Sequence, residues 1–170
     1  EQGALDNTVI VFASDNGFHL GEHRLPLGKQ SAYDESIRVP LIVRGPGIPA
    51  GVTVSQLALN IDLAPTFAEL AGVAAPDFVD GRSLVPLLRG EATAEWRQRF
   101  LVERYERRRS NGRSKAVTTP ATGQADWEGD PEEREPGISP IDAPPYIALR
   151  TERYLYVEYL DGERELYDLT

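Results

Sequence analysis

The sequence predicts an α/β fold that gives way to a small antiparallel sheet, and three observations carry that expectation. A β-branched, apolar run, Thr8-Val9-Ile10-Val11-Phe12-Ala13, ends in the turn cluster Ser14-Asp15-Asn16-Gly17. Strand, loop, strand and helix signals then follow one another, the order of layered α/β structure. Near the end of the chain, apolar and polar residues alternate about an Asp161-Gly162 turn, as antiparallel strands do.

Taken in order, the first run reads as a strand buried on both faces, as in a parallel sheet, because it contains no polar alternation. Residues 18–38 are polar and aperiodic, so they read as a long loop with a short helical turn near Ser31–Ser36. Val39-Pro40-Leu41-Ile42-Val43 is a second strand; Pro40 is tolerable at its start, and Gly45-Pro46-Gly47 stops it. Asn60 to Ala71 reads as a helix with Leu63, Phe67, Leu70 and Ala71 on one face. Asp62 is placed to cap it, Pro65 sits in its first turn, and Gly72 ends it. Ser83 caps a shorter helical stretch through Leu88, closed by Gly90. Phe100–Glu103, Tyr146–Arg150, Tyr154–Tyr159 and Glu165–Leu169 read as strands. Between the first two lies a stretch, 106–145, that turns from Arg107-Arg108-Arg109 to Ser, Gly, Thr and Pro, then to Asp130-Pro131-Glu132-Glu133. It reads as an exposed, solvated insertion. Residues 1–98 are therefore assigned to the α/β part, and 99–170 to a sheet subdomain carrying the insertion.

The 170 residues include 18 Lys+Arg against 27 Asp+Glu, for a net charge of −9. That balance opposes non-specific binding to nucleic acid or to anionic membranes, which requires basic surface. No apolar run is long enough to suggest a membrane span. Cysteine is absent, which removes disulfides, thiolate metal sites and cysteine nucleophiles. Methionine is absent too, so the chain reads as a piece of a longer protein.

Chemistry concentrates between residues 14 and 47. Asp15 and Asn16 stand just past a strand end, where open α/β sheets bind ligands. A carboxylate beside an amide oxygen suits a hard cation, Ca²⁺ or Mg²⁺; Asp-Asn-Gly is also ordinary turn composition, of type I′ or similar. Lys29, after Gly28, is either a solvated loop lysine or, if the loop folds back over the strand end, a point charge for an anion. His19 and His23 have the spacing of a helical metal pair, but Gly21 intervenes, and loop histidines held by hydrogen bonds are the plainer reading.

As one pattern, Ser14-Asp15-Asn16-Gly17-Phe18-His19-Leu20-Gly21-Glu22-His23, Leu27-Gly28-Lys29, Tyr33 and Arg38-Val39-Pro40-Leu41-Ile42-Val43-Arg44-Gly45-Pro46-Gly47 resembles the sulfatase family of the alkaline-phosphatase superfamily. Its N-acetylglucosamine-6-sulfatase-like and related bacterial members are the most similar. Asp62-Leu63-Ala64-Pro65-Thr66, Asp80-Gly81-Arg82-Ser83-Leu84, Leu87-Leu88-Arg89-Gly90 and Glu165-Leu166-Tyr167-Asp168-Leu169 extend the resemblance over nearly the whole chain except 106–145. It implies the C-terminal part of an alkaline-phosphatase-like α/β sandwich followed by a small antiparallel subdomain. It implies Asp15 and Asn16 as ligands of Ca²⁺ (or Mg²⁺), Lys29 as the catalytic contact to the sulfate, and His23 as a further substrate contact. The family's formylglycine nucleophile, made from Cys or Ser in a Cys/Ser-x-Pro-x-Arg motif, has no counterpart here and is expected ahead of residue 1, as are further metal carboxylates. The implied partner is a sulfated small molecule or glycan, in a periplasmic, secreted or lysosomal-type setting. Isolated, the chain is expected to be inactive. A phosphonate monoester or phosphodiester hydrolase of the same superfamily, and a non-catalytic binding module, are the competing readings; Asn16, where those hydrolases more often carry His, favours the sulfatase.

Overall fold

The computed structural model describes residues 3–91, 93, 95–105 and 144–170. The insertion expected at 106–145 lies outside the described residues except for Pro144 and Pro145.

Strand β1 (Ile10–Ala13) leads into a long connection that holds a 3₁₀ turn at Glu22–Arg24 and the short helix α1 (Asp34–Ile37), and the chain returns as β2 (Leu41–Arg44). The two strands pair antiparallel, Phe12 opposite Ile42 and Ile10 opposite Arg44. This corrects the expectation of a parallel, doubly buried strand. A continuous β-branched run fits both kinds of sheet, so its composition does not decide direction. Here the alternation of side chains sends Phe12 and Ile42 to one face, where they are 60% and 62% exposed.

A 3₁₀ turn at Asn60–Asp62 precedes α2 (Leu63–Leu70), and α3 (Val85–Leu88) follows. The helix expected over 60–71 is present, but its buried face differs from the apolar stripe. Asp62, Pro65 and Thr66 are buried, while Phe67 is 48% exposed. Asp62 does not cap the helix with its side chain. Its carboxylate instead accepts from the backbone N–H of Leu59 and of Arg82, each at 2.8 Å, and is gripped by both terminal nitrogens of Arg97. The Asp62 carbonyl accepts from Thr66 Oγ1 at 2.6 Å, and that hydroxyl oxygen accepts from Leu84 N–H at 2.8 Å. Polar satisfaction therefore decides which face turns inward. Gly81 is required beside this network, because a Cβ there would stand 2.0 Å from the Ile61 carbonyl oxygen. Ser83, expected to cap α3, stands one residue ahead of the N-cap Leu84, and its Oγ accepts from Val85 N–H at 3.2 Å.

The remaining strands, β3 (Arg99–Arg104), β4 (Tyr146–Thr151), β5 (Tyr154–Tyr159) and β6 (Arg164–Asp168), form one antiparallel sheet in sequence order. Its inward positions, Tyr146 and Ala148 on β4 and Leu155 and Val157 on β5, form a fully buried cluster that also takes in Ala32 from the long connection. Gly162, with φ 96°, makes the β5–β6 turn that Asp161-Gly162 announces. Among the described residues, no helix is long and apolar enough to cross a membrane.

Candidate functional site

The end of β1 is held by its neighbours rather than by a tight hairpin turn. Asn60, at the start of the 3₁₀ turn before α2, donates from Nδ2 to the carbonyls of Ser14 at 3.2 Å and Asp15 at 2.9 Å. Ser14 Oγ donates to the Asn16 carbonyl at 2.8 Å. None of Asp15, Asn16 and Gly17 has a positive φ, which excludes the type I′ turn that their composition allows. Gly17 serves a close approach. Its N–H donates to the Ser36 carbonyl at 2.8 Å, and a Cβ would lie 2.0 Å from the Glu35 carbonyl oxygen.

The loop from His19 to Ser36 folds back on itself over this strand end. His19 and Gly28 exchange both backbone hydrogen bonds, at 2.6 and 3.3 Å. The closure delivers Lys29, only 8% exposed, to Asn16: Nζ donates to Asn16 Oδ1 at 3.3 Å. The structure thus brings together two of the expected site residues that stand thirteen positions apart. Asp15, next to them, is exposed; its Oδ1 accepts from Asn16 N–H at 2.8 Å.

His23 rests on another surface of the loop. Its ring stacks on Tyr33, with centroids 4.0 Å apart and planes 16° from parallel, and Nε2 lies 3.2 Å from Glu35 Oε2. Tyr167 of β6 meets both rings edge-on. His19 is fully buried, and its Nε2 shares a 2.7 Å hydrogen bond with Ser31 Oγ, whereas Nδ1 has no partner among the described residues. Both histidines are loop residues held by hydrogen bonds; they do not form the helical metal pair. Burial pulls the His19 imidazole below its ordinary pKa, against the opposing charge of Glu35. Burial also raises the Tyr33 hydroxyl, reinforced by hydrogen bonding with Tyr167, Tyr159 and Glu165.

The backbone is unusual here. His23 (φ 55°), Arg24 (φ 59°) and Gln30 (φ 82°) are the non-glycine residues with positive φ among the described residues, and all three lie in this loop. Such conformations cost on the order of 1–3 kcal/mol each and persist only where surrounding contacts over-determine them. The sequence offers no signal for the clamp from Asn60 or for the seat of Tyr33, since their partners lie 45 and 132 residues away.

As cation ligands, Asp15 and Asn16 are right in kind and short in number. Their carboxylate and amide oxygens suit Ca²⁺ or Mg²⁺, but Ca²⁺ takes about 6–8 oxygens. Among the described residues no group of three or more His, Cys, Asp or Glu side chains is placed to hold a metal. What the arrangement does supply is a nearly buried ammonium, fixed by an amide oxygen, at a strand end. A cation so held presents a point charge to an anionic group.

The chain is similar to known proteins in both sequence and fold. Residues 21–121 match the family model described as N-sulphoglucosamine sulphohydrolase, C-terminal. The chain is 44% identical over 119 residues to human N-acetylglucosamine-6-sulfatase, which aligns 69% of this chain and 20% of that protein. In three dimensions it is similar to a protein solved in complex with its substrate D-glucosamine-2-N,6-O-disulfate, with a TM-score of 0.75 and 32% identity over 98% of this chain and 28% of the other. It is also similar to the phosphonate monoester hydrolase of Agrobacterium radiobacter, with a TM-score of 0.72 and 32% identity over 98% of this chain and 30% of that one.

Proposed function

We propose, from the premise that this chain belongs to the sulfatase family, that the protein carrying it hydrolyses sulfate esters, with a sulfated sugar or glycan as substrate. The observation that carries the reading is the contact of Lys29 with Asn16 at the end of β1, inside the pattern by which the chain resembles sulfatases. The chain spans about a fifth of its human relative, so the reaction is assigned to the whole protein.

In this reading Lys29 holds the anionic ester group in line by charge, and Asn16 aims the ammonium by accepting one of its protons. Burial strengthens that hold, because water screens the charge less. His23, seated over Tyr33, is assigned a further substrate contact on the family resemblance. Asp15 and Asn16 contribute a charged and a neutral oxygen to Ca²⁺ or Mg²⁺, the remaining ligands coming from outside these residues. A bound divalent cation supplies neutralisation of charge on the ester oxygens. The attacking group, an expected formylglycine, also lies outside them, so residues 1–170 alone should not turn over an aryl sulfate. An extracytoplasmic setting, and the division at residue 98 between catalytic and C-terminal subdomains, are likewise proposed on the family resemblance.

The likeness to a phosphonate monoester hydrolase supports a second reading, in which the same clamp holds a phosphonate ester. Turnover of para-nitrophenyl sulfate, set against a para-nitrophenyl phosphonate monoester, separates the two. In the full-length protein Asp15→Ala should lose bound metal and activity together, by about 10²-fold in rate, with partial recovery in excess Ca²⁺. Normal metal content and normal sulfate turnover in that variant would remove Asp15 from the site.

A further inference from the structure

The segment that follows Lys29 is held by the C-terminal sheet. Arg104 on β3 donates to Gln30 Oε1 at 3.4 Å. Ala32, 1% exposed, sits within the sheet's own core cluster. Tyr33 donates its hydroxyl to Glu165 Oε2 on β6 at 2.9 Å, and Tyr159 on β5 donates to the same oxygen at 3.2 Å. Arg150 on β4, 9% exposed, forks onto Asp34, with Nε to Oδ1 at 3.0 Å and a terminal nitrogen to Oδ2 at 3.2 Å. Lys29 therefore stands between two fixed points: Asn16 on one side, and residues 32–34 embedded in the sheet on the other. Gln30 lies between them in a left-handed conformation (φ 82°) that a residue with a side chain adopts only when both flanks are constrained.

We infer that Tyr33 and Arg150 are positioning residues for Lys29, seating the loop on the C-terminal sheet so that the ammonium is delivered to Asn16. The two anchors are complementary. A bidentate guanidinium–carboxylate fork fixes the orientation of Asp34 as well as its distance. The Tyr33 hydroxyl bond fixes the long axis of a ring that also carries the His23 stack. Neither residue hydrogen-bonds to Asp15 or Asn16, so their effect on chemistry would pass through the loop. The inference rests on the sulfatase reading only for its effect on rate. The seating itself is a statement about where Lys29 stands.

The test uses the full-length protein with Tyr33→Phe, which keeps the ring and removes the hydroxyl that bonds Glu165, and Asp34→Asn, which removes the charge beneath Arg150. Lys29 acylation by an N-hydroxysuccinimide acetate, read by peptide mass spectrometry, reports burial of the ammonium without reference to activity. It should rise several-fold in both variants while the melting temperature of Tyr33→Phe stays near that of the parent. With para-nitrophenyl sulfate, kcat should fall roughly 10- to 100-fold, the scale expected for a misplacement of about 1 Å, with KM nearly unchanged. Tyr33→Phe should add no further loss to Lys29→Ala, because both act on one interaction. An unchanged acylation rate in Tyr33→Phe would overturn the inference, as would additive losses in the double variant. If Asp34→Asn does not fold, Tyr33→Phe decides alone. Wild-type kcat in Lys29→Ala would instead remove Lys29 from the reaction, and raised acylation in Tyr33→Phe would still show that the sheet seats the loop.

Discussion

The region before β3 and the sheet from β3 to β6 bury polar and apolar side chains in different proportion. In the sheet the interior is Tyr146, Ala148, Leu155 and Val157, supplied by strand alternation, with Arg150 as the buried charge beside them. In the earlier region the buried set includes His19, Lys29, Ser31, Ser36, Asp62 and Thr66. Apolar packing is non-directional and tolerates small displacements, whereas each buried polar group fixes an angle and a distance. The candidate site is built where direction matters, and its loop is anchored on the C-terminal sheet.

That contrast can be broken most forcefully at its ionic centre. Asp62 and Arg97 form a pair whose side chains are 0% and 9% exposed, so Arg97→Ala strands a buried carboxylate. The expected loss is about 3–5 kcal/mol, read as a lower denaturant midpoint. A loss no larger than that of an exposed salt bridge would mean that the polar interior is not what holds this region. On the sheet side, Leu155→Ala removes a side chain 1% exposed and should cost about 2–5 kcal/mol. If the sheet seats the loop, the same variant should also expose Lys29 to acylation. Intact protection of Lys29 would separate the two regions.

The weakest of these effects is expected in the pH dependence of stability. His19 has its pKa lowered by burial, so the folded protein resists protonation more than the unfolded chain does. Below the ordinary value of 6.5 the unfolded chain takes up the proton first. The contribution of neutral His19 is therefore present above that value and is lost as pH falls towards the lowered folded value. Melting curves between about pH 8 and pH 5 should show a decline that His19→Gln flattens; equal slopes in both proteins would contradict this burial effect.

The strands of the C-terminal sheet were legible because period-two alternation and an Asp-Gly turn are local signals. The α2 segment was legible as a helix but not in its orientation. Its apolar stripe, including Phe67, competes with the hydrogen bonds of Asp62 and Thr66, and the polar network turns Pro65 and Thr66 inward. The direction of β1 against β2 is absent from composition, since Val, Ile and Phe suit both sheet types. Asp15, Asn16 and Lys29 could be singled out, and the fold-back of the loop brings the last two together. Tyr33–Glu165 and Arg150–Asp34 close over 132 and 116 residues. No local spacing encodes such pairs.

The most direct measurement is steady-state hydrolysis of para-nitrophenyl sulfate by full-length Lys29→Ala, with its melting temperature and metal content measured on the same preparation. The predicted result is a kcat lower by about 10²-fold that added Ca²⁺ does not restore, with bound metal retained and little change in melting. Wild-type kcat in the folded, metal-loaded variant would contradict the assignment of Lys29 to the reacting sulfate.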